Sequence, residues 1–286
     1  LSVISEAYKR AFNDPDFKVT DDCGVVVKYM PEVPVHLVAG EESNMKLTYK
    51  EDTFLLDKLF QLRGSQAPEV PGKEHFGGRV AVVFGGSYGI GKDIATELRN
   101  AGAKVYSFSR SLTGTDVGNR RDVARALKEV ADKEGKIDYV INTAGVLNKE
   151  PLCSMDYSII QAAVQTNYMG TVNVALEAYN YLKQTQGQLI FFTSSSYTRG
   201  RAFYSIYSST KAAIVNFVQA IAQEWESVGI RVNCINPERT KTPMRVKNFG
   251  VEPDDTLLKS EVVADATVRC LMADYTGQVI DVKRQG

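Results

Sequence analysis

Neither sign of charge is in excess: 34 Lys and Arg stand against 34 Asp and Glu over 286 residues. A general nucleic-acid binder would carry a basic surplus or a basic face, so that class is excluded, although a local pocket for a small phosphate is not. Long apolar runs are also missing. Stretches such as Val80–Phe84 fall far short of the ~20 residues that span a bilayer, and no membrane partner is expected. Ser5, Glu6, Lys9 and Arg10 break up the start of the chain, so no signal peptide is read there. Cysteine is sparse: Cys23, Cys153, Cys234 and Cys270 lie far apart and make no CxxC pair, which excludes a disulfide scaffold and gives no metal site. A reduced, cytoplasmic protein is the expectation. The chain opens on leucine and is expected to be a piece of something longer. What is present is ordinary globular material, 44% hydrophobic and 24% charged, enough for one large domain or two of usual size.

Periodicity divides the chain. Arg63–Gly78 holds four glycines and two prolines without a period, a linker composition. The segment after it alternates short apolar runs with helical spacing. Arg79–Phe84, Lys104–Phe108, Tyr139–Asn142, Leu189–Thr193, Ile230–Ile235 and Gln278–Val282 are predicted strands. Ile90–Ala101, Arg121–Glu134, Ile159–Leu182, Ala212–Trp225 and Val262–Met272 are predicted helices. Such alternation implies a mainly parallel sheet covered on both faces, with ligands beyond the carboxyl ends of its strands. Before the linker, Tyr8–Phe12 starts helically, Val33–Val38 and Met45–Leu47 read as strands, and Glu51–Leu62 reads as a helix. Sixty residues bury little surface and are marginal alone.

After the first predicted strand comes Gly85-Gly86-Ser87-Tyr88-Gly89-Ile90-Gly91. Glycines permit a sharp turn and close backbone approach, and the helix that follows aims free N–H groups at a phosphate. The GxGxxG spacing is absent. Gly85, Gly89 and Gly91 fit GxxxGxG; Gly86 to Lys92 fits GxxxxGK, but Asp93 stands where a triphosphate loop needs Ser or Thr. The second strand ends Ser107-Phe108-Ser109-Arg110 without an acid for ribose hydroxyls. Arginine there accommodates a 2′-phosphate and favours NADP(H); a solvated loop arginine is the bland alternative.

Tyr207 and Lys211 stand four apart, on one face of a predicted helix. A neighbouring ammonium favours the phenolate and lowers a tyrosine pKa that is otherwise about 10. The pair could then pass a proton to a carbonyl. Ser194, thirteen residues upstream at the ligand end of a strand, could hold the substrate oxygen, with Ser195 as the alternative register. Tyr-x-x-x-Lys alone is weak, since a core tyrosine beside a surface lysine makes the same pattern.

The set Gly85…Gly89-Ile90-Gly91, Asn142-Thr143-Ala144-Gly145, Ser194 and Tyr207…Lys211 resembles the short-chain dehydrogenase/reductases over roughly residues 78–283. The resemblance implies a Rossmann-type doubly wound parallel sheet, a nicotinamide cofactor and a Ser–Tyr–Lys site. It also implies a role for Asn167 in a proton relay to the lysine, and cofactor contacts from Gly85, Ser87, Tyr88, Gly89, Ile90, Gly91, Arg110, Asp116, Asn142, Ala144, Gly145, Tyr207 and Lys211. Pro237, Thr240 and Thr242 match the family's Pro-Gly-x-x-x-Thr clasp, with Glu238 in place of its glycine. Arg110 to Asp116 is too short for a strand and full helix, so one crossover is expected to be trimmed.

Phe17-Lys18-Val19-Thr20-Asp21-Asp22 and Asn44-Met45-Lys46-Leu47-Thr48 resemble the carboxyl-terminal part of the methylerythritol-phosphate/ribitol-phosphate cytidylyltransferases. That resemblance implies sugar-phosphate contacts at Thr20 and Lys46 and an α/β remnant of a nucleotidyltransferase. The family's CTP loop is absent, so no complete cytidylyltransferase is expected. The domains read as 1–63 remnant, 64–77 linker and 78–286 reductase. Together they resemble the bifunctional ribulose-5-phosphate reductase/CDP-ribitol pyrophosphorylases of capsule synthesis, implying NADPH reduction of D-ribulose 5-phosphate. Arg199, Arg201 and Arg245 are then candidate phosphate contacts alongside Ser194, since bidentate arginine suits phosphate; solvated surface charge is the alternative for each. A keto-acyl reductase would want an apolar cleft there, and a non-catalytic module would need none of the Ser–Tyr–Lys set. The long apolar helices suggest a homodimer or homotetramer.

Overall fold

The computed structural model describes residues 2–18, 21–40, 45–53, 55–56 and 76–284. The chain falls into two compact units, Leu1–Phe60 and Gln61–Gly286.

In the first unit, helix α1 (Ser2–Ala11) and helix α2 (Asp22–Tyr29) pack on one another. Asp21 caps α2, its carboxylate accepting from Gly24 N at 2.7 Å, which is the local reason a helix starts inside Asp21-Asp22. Ala7, Ala11, Val25, Val26 and Met30 form a small core, with Tyr8, Phe17 and Tyr29 against it. The strands expected at Val33–Val38 and Met45–Leu47 do not form. Pro31 and Pro34 remove two donors, and no strand is described in this unit to pair with them. Leu37 and Val38 accordingly lie open to solvent. Thr20, Asn44, most of the predicted helix Glu51–Leu62 and residues 64–75 of the predicted linker lie outside the described residues.

The second unit is a six-stranded, wholly parallel sheet: β1 (Val80–Phe84), β2 (Lys104–Phe108), β3 (Tyr139–Asn142), β4 (Gln188–Phe192), β5 (Arg231–Pro237) and β6 (Val279–Val282). Their order is β2-β1-β3-β4-β5-β6. The period of two along β1 divides its side chains between two cores. Val80, Val82 and Phe84 join helices α5 (Arg120–Glu134), α7 (Gly170–Thr185) and α8 (Ser205–Trp225) on one face. Ala81 and Val83 join α3 (Gly89–Asn100) and α10 (Ser260–Leu271) on the other. Burial on both faces explains why β1 is continuously apolar.

The connection from β2 to β3 begins with a single helical turn, α4 (Arg110–Thr113), ended by Gly114 in the left-handed region at φ 67°, and then runs through α5. Among the described residues no strand lies beyond β2, so β2 is an edge. Its Lys104 and Tyr106 both reach Glu134, at 2.6 and 2.5 Å. The helix predicted as continuous over Ile159–Leu182 is interrupted. α6 (Tyr157–Val164) passes through a π-helical turn, Gln165–Met169, into α7. Such turns gather at functional sites, and this one holds Asn167. After β5 comes α9 (Pro243–Phe249). No described helix is long and apolar enough to cross a membrane.

Candidate functional site

β1 lies between β2 and β3, so consecutive strands leave β1 toward opposite sides, and the crevice opens at the carboxyl ends there. A cavity of about 320 Å³ occupies that position. Its floor is the glycine turn. Gly85 stands at φ 81°, where only glycine is unstrained. A Cβ on it would meet Thr143 Oγ1 at 2.6 Å and Ala144 N at 2.7 Å. One on Gly91 would meet Gly85 O and Thr143 Oγ1, both at 2.4 Å. Thr143 Oγ1 in turn donates to Phe84 O at 2.9 Å. The turn and the loop after β3 are thus interlocked through backbone, and a long flat ligand can approach both. α3 begins at this turn with no side-chain cap from Tyr88, leaving its first N–H groups and positive end for a phosphate. A dinucleotide fits this cradle.

Ser87, Tyr88, Gly89, Ile90, Arg110, Asp116, Ala144 and Gly145 all border the cavity. Arg110 opens α4, which Ser109 caps by accepting from Leu112 N at 3.1 Å. Its guanidinium is exposed and 4.0 Å from Asp116. Asn142 does not border the cavity; it is buried and accepts from Ala144 N at 3.1 Å, shaping the loop from behind. Asn167 is likewise behind the wall. Its amide exchanges bonds with Val146, taking N–H at 2.8 Å and donating to O at 3.0 Å, and donates to Thr210 Oγ1 at 3.3 Å. It ties the β3 loop, the π-helical turn and α8 together.

Tyr207 and Lys211 stand on the first turns of α8, both against the cavity. Ser194, capping the short turn Ser195–Tyr197, borders the same cavity as Tyr207 and accepts from Ser196 N at 3.4 Å. Ser195 accepts from Arg201 Nη2 at 3.2 Å, and Ser194 Oγ accepts from Ser196 Oγ at 3.3 Å; both serines border the cavity. Lys211 Nζ donates to Phe192 O at 2.8 Å and lies 5.6 Å from the Tyr207 ring centroid. The expected lowering of the tyrosine pKa by this ammonium is not found. Burial pushes Tyr207 above its ordinary value, against the opposing Ser194 hydrogen bond. Burial also holds Lys211 down, to about 8, despite the Cys234 thiol nearby.

That depression has a sign. From about 8 to 10.5, the ordinary lysine value, the unfolded chain holds a proton that the folded chain has lost, so stability rises with pH across this window. Below about 8 the full cost of burying the ammonium is present, on the order of 3 kcal/mol. Lys211→Met should therefore gain stability relative to wild type at pH 7, and the gain should shrink by on the order of 2–3 kcal/mol by pH 10 in urea denaturation. A difference that does not change with pH would show that the amine is not desolvated.

On the β5 side, Pro237, Glu238, Thr240 and Thr242 border the cavity. Glu238, standing for a glycine, accepts from Arg284 N at 3.0 Å. Thr242 caps α9 and lies beside Gly89. Of the three arginines, Arg201 and Arg245 border the cavity and Arg199 does not: it is exposed outside the wall. Arg245 is not a free cation, because its Nε and Nη2 fork Glu252 at 2.6 and 2.8 Å. Tyr204 and Phe249, stacked at 16° with centroids 6.0 Å apart, also line the cavity. Sequence reasoning passed over both, as neither stands in a spaced motif.

Residues 79–251 match the family described as short chain dehydrogenase. The bifunctional ribulose 5-phosphate reductase/CDP-ribitol pyrophosphorylase of Haemophilus influenzae is 47% identical over 99% of this chain, and the chain spans 60% of that protein's length. Ipsdienol dehydrogenase of Ips pini is 35% identical over 61% of this chain and 79% of its own. Among solved structures, 3-ketoacyl-(acyl-carrier-protein) reductase from Brucella melitensis, complexed with NADH, superposes with a TM-score of 0.67 at 22% identity, over 72% of this chain and 97% of that one. With its wholly parallel sheet, glycine cradle and family match over residues 79–251, the chain belongs to the short chain dehydrogenase family of oxidoreductases.

Proposed function

We propose that this chain uses NADPH to reduce the carbonyl of a ketose phosphate, converting D-ribulose 5-phosphate to D-ribitol 5-phosphate. The observation that carries the reading is the 47% identity, over 99% of the chain, to a protein named for that reduction. The arginine-bordered cavity supports it, since an acyl substrate would be served better by an apolar cleft.

The nicotinamide, when bound, supplies the hydride that goes to the carbonyl carbon. Ser194 donates to the carbonyl oxygen and orients it toward Tyr207. Tyr207, kept protonated by burial, gives its phenolic proton to that oxygen as charge builds there. Lys211, cationic at neutral pH, stabilises the phenolate left behind and holds the nicotinamide ribose. Asn167 acts at one remove, fixing Val146 and Thr210 on either side of the lysine. The α3 amino terminus and Gly85, Ser87, Tyr88, Gly89, Ile90 and Gly91 receive the pyrophosphate. Asp116 serves the adenine side; Ala144, Gly145, Pro237, Thr240 and Thr242 flank the rest of the nucleotide. Arg201 and Arg245 are the phosphate contacts of the substrate; Arg199, outside the wall, is not included.

Incubating the chain with NADPH and ribulose 5-phosphate should consume one NADPH per ribitol 5-phosphate formed. Turnover of acetoacetyl thioesters with none of the ketose phosphate would overturn the substrate. Arg110 is proposed to read the 2′-phosphate of NADPH. Arg110→Ala should weaken NADPH by about one to two decades and NADH hardly at all, since one charge-assisted contact is lost. Equal weakening in a fluorescence titration would remove Arg110 from that role.

Residues 1–63 belong to the same reading as the carboxyl-terminal segment of a cytidylyltransferase-like domain, with Thr20 and Lys46 as its contacts to an acceptor sugar phosphate, and residues 64–77 as linker. A homodimer or homotetramer in the cytoplasm completes it, in keeping with the four free thiols and exposed apolar Met169 and Leu176 on the π-helical turn and α7.

A further inference from the structure

Arg245 is unusually well held for a cation on a short surface helix. Its side chain is 18% exposed and Glu252's is 21%. Its guanidinium carbon lies 3.6 Å from the Phe249 ring centroid. That ring stacks on Tyr204 and carries Lys149 Nζ 4.9 Å from its centroid. The stack aims the planar fork, and both of its parallel donors are spent on the two oxygens of Glu252. Arg245 borders the cavity, whereas Glu252 does not.

A carboxylate and a phosphate present the same pair of acceptor oxygens to this fork. Glu252 follows Gly250, which sits at φ 76° with open space around it, and Val251, which is 94% exposed. The carboxylate is therefore joined to α9 through a glycine and a side chain that packs on nothing. It has a route outward that the stacked arginine lacks.

We propose that Glu252 is the internal occupant of Arg245's anion seat, that the phosphate of the substrate takes its place, and that Glu252 thereby sets how strongly a phosphorylated ketose is preferred over a neutral one. The inference rests on the sugar-phosphate reading above. Until it swings away, Glu252 both fills the fork and repels an incoming dianion. The exposed guanidinium of Arg201 donates to Ser195 Oγ and, among the described residues, makes no ion pair with a carboxylate, so it has no such internal rival.

The test compares D-ribulose 5-phosphate with unphosphorylated D-ribulose at saturating NADPH. Glu252→Gln should lower KM for the phosphorylated ketose by about five- to tenfold, and leave KM for the neutral one within about twofold. Arg245→Met should raise KM for the phosphorylated ketose by at least about tenfold. In the Arg245→Met background, Glu252→Gln should have no further effect, because the two act through one seat. Glu252→Gln raising both KM values together, leaving their ratio unchanged, or keeping its benefit without Arg245 would each show a mere strut and overturn the proposal. If wild type reduces neither ketose, the substrate reading has failed and the seat is read at equilibrium. Inorganic phosphate titrated calorimetrically into the NADPH-saturated protein should bind Glu252→Gln more tightly than wild type, and Arg245→Met least. Equal binding by all three would overturn the seat itself. Thermal melting of each variant identifies any that has failed to fold.

Discussion

Tyr207→Phe should lower kcat for carbonyl reduction by about two to four decades, the usual worth of a positioned general acid, while NADPH affinity stays within about twofold. The ring keeps its place on the first turn of α8, against the cavity and 5.6 Å from the Lys211 ammonium. Only the hydroxyl that meets Ser194 is removed. Without it the oxygen of the substrate gains electron density with no positioned proton at hand, and water must supply one. Single-turnover rates measured with pre-bound NADPH isolate the step. A kcat near wild type would assign the proton to another group.

The second large effect concerns backbone. Gly91→Ala should cost roughly 2–3 kcal/mol of stability and weaken cofactor binding by about two decades or more, because the new methyl group would have to displace a main chain. The Cβ would stand 2.4 Å from Gly85 O and 2.4 Å from Thr143 Oγ1. Gly85 cannot yield easily, being pinned by Phe108 O at 2.8 Å through its own N–H. The expected drop in Tm is roughly 5–10 °C for a unit of this size. Gly77→Ala is the control: nothing lies within 4 Å of its Cβ, and it should change neither Tm nor affinity. If Gly91→Ala binds NADPH like wild type, the turn is not the pyrophosphate cradle.

Elements governed by short-range patterning were legible in the sequence. β2 and β3 were predicted at the residues where they form, because each is a brief apolar run closed by polar turn residues. The clipped crossover followed from the few residues between Arg110 and Asp116, and the turn α4 is what remains. Where partners remote in sequence decide, the reading stopped. The π-helical turn at Asn167 depends on what the β3 loop and α8 offer it, and the surrounding period runs through without a break. Val33–Val38 alternates like a strand but has no described neighbour to pair with. Arg245 looked like a free phosphate ligand because Glu252 lies seven positions further on, across a glycine that follows α9. The Tyr207–Lys211 spacing was visible, whereas the burial that raises the tyrosine and depresses the lysine is a property of the packed site.

Among the described residues the sheet ends at β2, and an unpaired strand edge is a template on which another chain can build a continuous sheet. Two of the five side chains of β2 are drawn to the same acid: Lys104 by its ammonium and Tyr106 by its hydroxyl, both at Glu134, with Lys133 a further 5.1 Å above the tyrosine ring. Charge and crowding at the end of α5 thus stand guard over the edge that the shortened crossover leaves bare. Resistance to self-association through this edge then depends on one helix terminus, and above all on a single carboxylate.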